Sequence, residues 1–102
     1  MSFYDVKITA LKRTETGEIF KQYAGNMTPQ CDGVKDGAEY VSKKLQMPEG
    51  FCAWAWADIQ RDVTHIALGG DFPWVKEKGV MISSCTDGLR PVIFKLERMP
   101  KE

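Results

Sequence analysis

The sequence has little of what common catalytic and nucleic-acid-binding sites need. His65 is its one histidine, so general-base chemistry at neutral pH would rest on that residue, on a carboxylate or on a thiolate, and no Ser-His-Asp set is indicated. The 14 basic and 14 acidic residues cancel and divide evenly between the two halves of the chain. No basic face is therefore available for phosphate contacts, and we expect no nucleic-acid partner.

Long apolar runs are also missing. The longest uninterrupted one covers residues 51–57, far short of the ~20 residues that span a bilayer. The first residues, MSFYDVK, lack the basic start and apolar stretch of a secretory signal. We expect a cytoplasmic protein without a membrane partner, and 102 residues fit a single domain, 1–102.

Cysteine is scarce and widely spaced. Cys31, Cys52 and Cys85 form no Cys-x-x-Cys pair, and their odd number argues against a disulfide framework. Reduced thiols or metal ligands are the better interpretations. A metal site would require the fold to gather all three.

Alternating apolar residues predict the strands. Val6, Ile8 and Ala10 give a strand over 4–13, and 38–42 is a shorter candidate. The clearest pair is a strand that ends at Cys85 and a strand from Val92, joined through a turn with Thr-Asp-Gly chemistry.

One long helix is predicted over 48–64, with Pro48 at its first position and Glu49 in its first turn. Helical spacing places one apolar stripe on Cys52, Ala55, Trp56, Ile59 and Val63. Trp56 is therefore expected in the core. Residues 16–23 fit either a hairpin turn or a short helix. The fold class is α+β: a small antiparallel sheet or partly closed barrel packed on one central helix.

Four motifs carry a family resemblance. They are PEGFC at 48–52, AWADI at 55–59, LGGDFPW at 68–74 and SCTDGLRPVIFKLER at 84–98. In their order and spacing they resemble a small family of uncharacterised proteins found mostly in anaerobic bacteria and archaea. The family's first motif resembles Cys-x-x-Gly-His-x-x-Gly-Asp, whereas this chain has Cys-Asp-Gly-Val-Lys-Asp-Gly at 31–37, without the histidine. The resemblance implies no particular function.

Cys52 is the leading candidate for a reactive or ligating sulfur. It falls in the first turn of the predicted helix, where the helix dipole favours a thiolate. The alternative is a buried cysteine that packs in the core, as free cysteines often do.

A second candidate surface lies opposite the apolar stripe. Trp54, Asp58 and Arg61 share that side of the helix, which suits a ligand platform or an interface in a homodimer. The alternatives are a tryptophan packed beneath the N-terminal segment and a solvated pair of Asp58 with Arg61.

Two turn regions supply further candidates. Asp71 and Trp74 follow the helix, and Asp87 and Arg90 belong to the last hairpin. Because Arg90 precedes a proline, its extended backbone could aim the guanidinium at Asp71 or at a small anionic ligand.

The alternative to a ligand site is that these residues only stabilise the two turns. Asp71 and Asp87 would be turn-forming acids and Arg90 an ordinary surface arginine. Gly69 and Gly70 lack the Lys-Ser/Thr of a phosphate loop and predict a helix cap instead. His65 would then complement the helix dipole.

The leading functional hypothesis is a non-catalytic small-molecule-binding or accessory protein, dimeric, with no cofactor indicated. Its site would lie where the helix start, the 68–74 loop and the last hairpin meet. The alternative is a thiol- or metal-dependent redox protein that uses Cys31, Cys52 and Cys85.

Overall fold

The computed structural model describes residues 3–101 as an antiparallel sheet with a long helix packed on one face. The elements in chain order are β1 Val6–Arg13, α1 Glu18–Tyr23, β2 Glu39–Ser42, α2 Ala53–Ala67, β3 Val80–Ser84 and β4 Val92–Arg98. The strand order is β2-β1-β4-β3, so β2 and β3 are free edges and the sheet is open. The α+β prediction is confirmed. No helix within residues 3–101 is long and apolar enough to cross a membrane.

The two central strands, β1 and β4, supply most of the buried side chains on the sheet face that carries α2. These side chains alternate along both strands: Val6, Ile8, Ala10, Val92, Phe94 and Leu96. The register sets Ile8 opposite Leu96. On the other face Lys7 lies 3.7 Å from Glu39 and 3.8 Å from Glu97. The alternation therefore predicted both strands, although β1 begins at Val6 rather than at residue 4.

An irregularity in β1 connects the sheet to the first cysteine. The pairing of β1 with β4 skips Leu11, and an extra residue turns the side chains that follow it to the other face. Arg13 therefore pairs with the buried Val92 on the side of the sheet that carries α2. Its Nη1 donates to the carbonyl of Cys31 at 3.4 Å and its Nε to Asp36 at 3.3 Å.

The start of α2 differs from the prediction. The helix begins at Ala53, because Gly50 has a φ of +79° and cannot continue a right-handed helix from Pro48. The N–H of Phe51 donates to the carbonyl of Pro48 at 3.2 Å and closes a turn. Proline followed by glutamate marks this turn rather than the first turn of the helix.

Phe51 enters the core from that turn. Its ring centroid lies 4.9 Å from that of Tyr40, 5.5 Å from that of Phe94 and 6.3 Å from that of Trp56. Trp56 packs against the core as predicted, but it is only half-buried. The buried side of α2 comprises Ala55, Ile59, Asp62, Val63, Ile66 and Ala67.

Cys52 is the N-cap residue of α2 and is exposed. Its backbone is extended, with ψ at 120°, and its carbonyl accepts the N–H of Trp56 at 2.9 Å. Its side chain makes no capping hydrogen bond. The expected place of Cys52 on the buried stripe is therefore wrong, because the helix starts after it.

The C-terminal end of α2 is capped by the paired glycines, as predicted. Gly69 has a φ of +93°, and its N–H donates to the carbonyl of Ile66 at 3.1 Å. The N–H of Gly70 donates to the carbonyl of His65 at 2.9 Å, which completes a Schellman motif. The His65 ring occupies the position that a Cβ at Gly70 would take. A larger residue at Gly70 would displace the ring.

The packing of α2 gives the first prediction. Ile59 is fully buried, so Ile59→Ala should lower the free energy of unfolding by about 2–5 kcal/mol. Its exposed neighbour gives the control, because Gln60→Ala should change that free energy by less than about 0.5 kcal/mol. Urea unfolding followed by tryptophan fluorescence measures both. Equal effects of the two substitutions would contradict this packing.

Candidate functional site

One cleft of about 740 Å³ lies at the N-terminal end of α2. It is lined by the cysteines 31, 52 and 85, by Tyr23 and Trp54, by the buried apolar residues Val34, Ala55, Val92 and Phe94, and by the turn residues Thr86 to Arg90. We call it the cysteine cleft. Its volume is typical of small-molecule sites, and its lining is mostly apolar.

The fold brings all three cysteines to this cleft from separate elements. Cys31 lies in the loop between α1 and β2, Cys52 caps α2, and Cys85 follows β3. The thiols are free. The sulfur of Cys31 accepts the N–H of Gly33 at 3.4 Å, and the sulfur of Cys85 accepts the N–H of Val92 at 3.3 Å. Within residues 3–101, no group of three or more Cys, His, Asp or Glu is arranged to hold a metal ion.

Two exposed aromatic side chains stand at the cleft. Trp54 and Tyr23 are each 70 % exposed although both line it. Trp54 lies on the first turn of α2, and Tyr23 is the last residue of α1. Trp54, predicted as part of a ligand platform or an interface, lines this cleft.

The loop between β3 and β4 is fixed to α2 and to the end of β1. Asp58 of α2 accepts the N–H of Thr86 at 2.8 Å and its hydroxyl at 2.9 Å. From the other side, the hydroxyl of Thr14 donates to the carbonyl of Pro91 at 2.6 Å, and that of Thr16 to the carbonyl of Leu89 at 2.9 Å. This wall of the cleft is therefore held on both sides.

Asp87 organises the same loop from within. Its Oδ1 accepts the N–H groups of Leu89 and Arg90 at 3.0 and 3.2 Å, and its Oδ2 accepts Nε of Arg90 at 3.3 Å. Burial acts to raise the pKa of Asp87, but these hydrogen bonds and the guanidinium charge outweigh it, so the pKa lies below its ordinary value. The carboxylate is ionised at neutral pH.

Arg90 pairs with Asp87 and not with Asp71. Asp71 instead accepts Nη2 of Arg98 at 2.9 Å and the N–H of Gly79 at 2.7 Å. The same guanidinium donates through Nη1 to the carbonyls of Ile66 and Gly70 at 3.1 and 2.7 Å. Asp71 thus fastens the segment after α2 and lies outside the cysteine cleft.

Two other predicted site residues also lie elsewhere. Trp74 is 70 % exposed and borders a second, shallower pocket with Val80 and Ile82. Arg61 does not pair with Asp58; its Nε lies 3.6 Å from Asp62. Of the proposed motif regions, the helix start and the last hairpin meet at the cleft, and the 68–74 loop does not reach it.

Several cleft residues were missing from the sequence prediction. Tyr23, Val34 and Leu89 line the cleft. Val34 and Leu89 lie within the motif segments 31–37 and 84–98, but neither was singled out as a site residue. Residues 16–23, predicted as either a hairpin turn or a short helix, contain the helix α1, whose last residue is Tyr23.

No protein-family model, curated protein or solved structure matches the chain.

The environment of Asp71 predicts a pH effect. Hydrogen bonds from Arg98 and from the Gly79 N–H lower its pKa below the ordinary 3.8. The ionised form therefore stabilises the fold above about pH 4, and this contribution is lost as the pH falls through the lowered pKa. Asp71→Asn should be less stable than the unaltered protein at pH 7 in urea unfolding, and the difference should shrink as the pH falls below the ordinary pKa of 3.8.

The exposed Asp32 supplies the matched control. Asp32→Asn should leave the unfolding midpoint at pH 7 nearly unchanged. An Asp71→Asn deficit that persists undiminished at low pH would show that charge is not the cause.

Proposed function

We propose that this protein binds a small, mostly apolar molecule in the cysteine cleft. The observation that carries the proposal is the pair of aromatic side chains, Trp54 and Tyr23, left 70 % exposed beside a cleft of about 740 Å³. Large apolar groups beside a concave surface are typical of ligand sites. A bound molecule would cover rings that are otherwise in water.

The chemistry of the lining supports an aromatic or other polarisable ligand. Three sulfur atoms and three aromatic rings, those of Tyr23, Trp54 and Phe94, border the cleft, and sulfur makes favourable contacts with ring edges. The fixed β3–β4 loop adds a preformed wall, so less conformational entropy is lost on binding. These features describe a binding protein that needs no catalytic group.

A thiol-dependent redox protein is the second candidate. It is favoured by the convergence of all three cysteines of the chain on one cleft. Thiols that line one cleft face the same bound substrate. Homodimerisation, a cytoplasmic location and membership of the resembled family remain predictions from the sequence.

Binding can be measured with N-phenyl-1-naphthylamine, a neutral aromatic dye whose emission rises in apolar surroundings. The unaltered protein should bind one equivalent of the dye. Trp54→Ala should weaken that binding about fivefold, because one aromatic contact contributes roughly 0.5–1.5 kcal/mol.

Trp74 gives the control for the dye experiment, since it has the same 70 % exposure and lies outside the cleft. Trp74→Ala should leave the dissociation constant unchanged. Absence of dye binding, or equal losses in both variants, would refute a ligand site in the cysteine cleft.

The second candidate is tested by counting thiols. The binding-protein proposal expects three free thiols when the protein, purified without reductant, is titrated with Ellman's reagent under denaturing conditions. Two missing thiols, restored by dithiothreitol, would favour the redox protein instead.

A further inference from the structure

Arg90 is the one cation that lines the cysteine cleft within residues 3–101. Its side chain is 20 % exposed, so most of it is withdrawn from water into a mostly apolar lining. Nε is taken by Asp87 at 3.3 Å. No protein group of the described residues accepts a hydrogen bond from Nη1 or Nη2.

The acidic groups near Arg90 are already engaged. Asp87 receives three hydrogen bonds, two of them from backbone N–H groups, and Asp58 receives the N–H and hydroxyl of Thr86. Both carboxylates therefore serve the loop. Arg90 keeps four N–H donors, while Asp87 holds the guanidinium in place through Nε alone.

We propose that the molecule bound in the cysteine cleft is an amphipathic carboxylate, with its apolar body against Trp54 and its anionic group on the Nη atoms of Arg90. A guanidinium presents paired N–H donors that match the two oxygens of a carboxylate. A charged hydrogen bond beside an apolar lining is stronger than one in open solvent. This inference rests on the proposed function and adds the polarity of the ligand.

Two dyes with the same aromatic body separate the inference from the function. 8-Anilinonaphthalene-1-sulfonate carries an anionic group that N-phenyl-1-naphthylamine lacks. Arg90→Gln should weaken the anionic dye about tenfold and the neutral dye less than twofold. Arg61→Gln is the control, because Arg61 lies outside the cleft with its side chain 89 % exposed, and it should change neither affinity.

A carboxylate is then tested by displacement of the neutral dye. Decanoate should displace it from the unaltered protein at about a tenth of the concentration that decan-1-ol requires. In Arg90→Gln the two displacers should become equivalent. Equivalence already in the unaltered protein would overturn the proposal, as would an equal effect of Arg90→Gln on both dyes.

Salt gives the same information without a substitution, in case Arg90→Gln disturbs the loop. Raising sodium chloride from 50 to 500 mM should weaken the anionic dye severalfold and should not weaken the neutral dye. Identical salt responses would overturn the inference. If the neutral dye fails to bind the unaltered protein at all, the binding function itself fails, and that outcome is distinct from a loss confined to the anionic dye.

Discussion

The insertion of Phe51 into the core determines where the helix begins and therefore where the cleft lies. Its ring sits against Tyr40 on the edge strand and Phe94 on a central strand. Burial of one phenylalanine side chain contributes roughly 1.5–3 kcal/mol, more than a helical turn gains from its backbone alone. The chain therefore turns at Gly50 instead of starting the helix at Pro48. Cys52 and Trp54 follow this turn and are left at the surface of the cleft.

The remaining walls of the cleft depend on the sheet. The irregularity at Leu11 brings Arg13 to the face that carries α2, where it holds the carbonyl of Cys31. The β3–β4 loop is tied to α2 through Asp58 and to the end of β1 through Thr14. The register of the sheet and the start of α2 together therefore bring three thiols that are distant in sequence to the cysteine cleft.

Local patterns predicted the strands, the α+β class and the capped end of α2, because alternation and paired glycines act over a few residues. They misplaced the helix start, since Pro-Glu has the same chemistry in a tight turn as in a first helical turn, and only the left-handed Gly50 separates the two. They also paired Asp71 with the wrong arginine. The N–H of Arg98 donates to the carbonyl of Gly79 at 2.8 Å, so strand register brings Arg98 to Asp71, and register is not visible in either turn alone. The cleft is lined by segments that are far apart in the sequence, so no local pattern assigned Tyr23, Val34 and Leu89 to it.

The two ends of α2 differ in how well they are capped, and the difference favours a functional cleft at the N-terminal end. The C-terminal end has a Schellman motif, with Arg98 donating to the carbonyls of Ile66 and Gly70. The N-terminal end has cysteine at the N-cap without a side-chain hydrogen bond, where serine or aspartate would add about 0.5–2 kcal/mol. Beside it stands a tryptophan that is 70 % exposed. Departures from local stability rules are expected at functional sites, and the two at this end of α2 lie at the cleft that also holds the three thiols and Arg90.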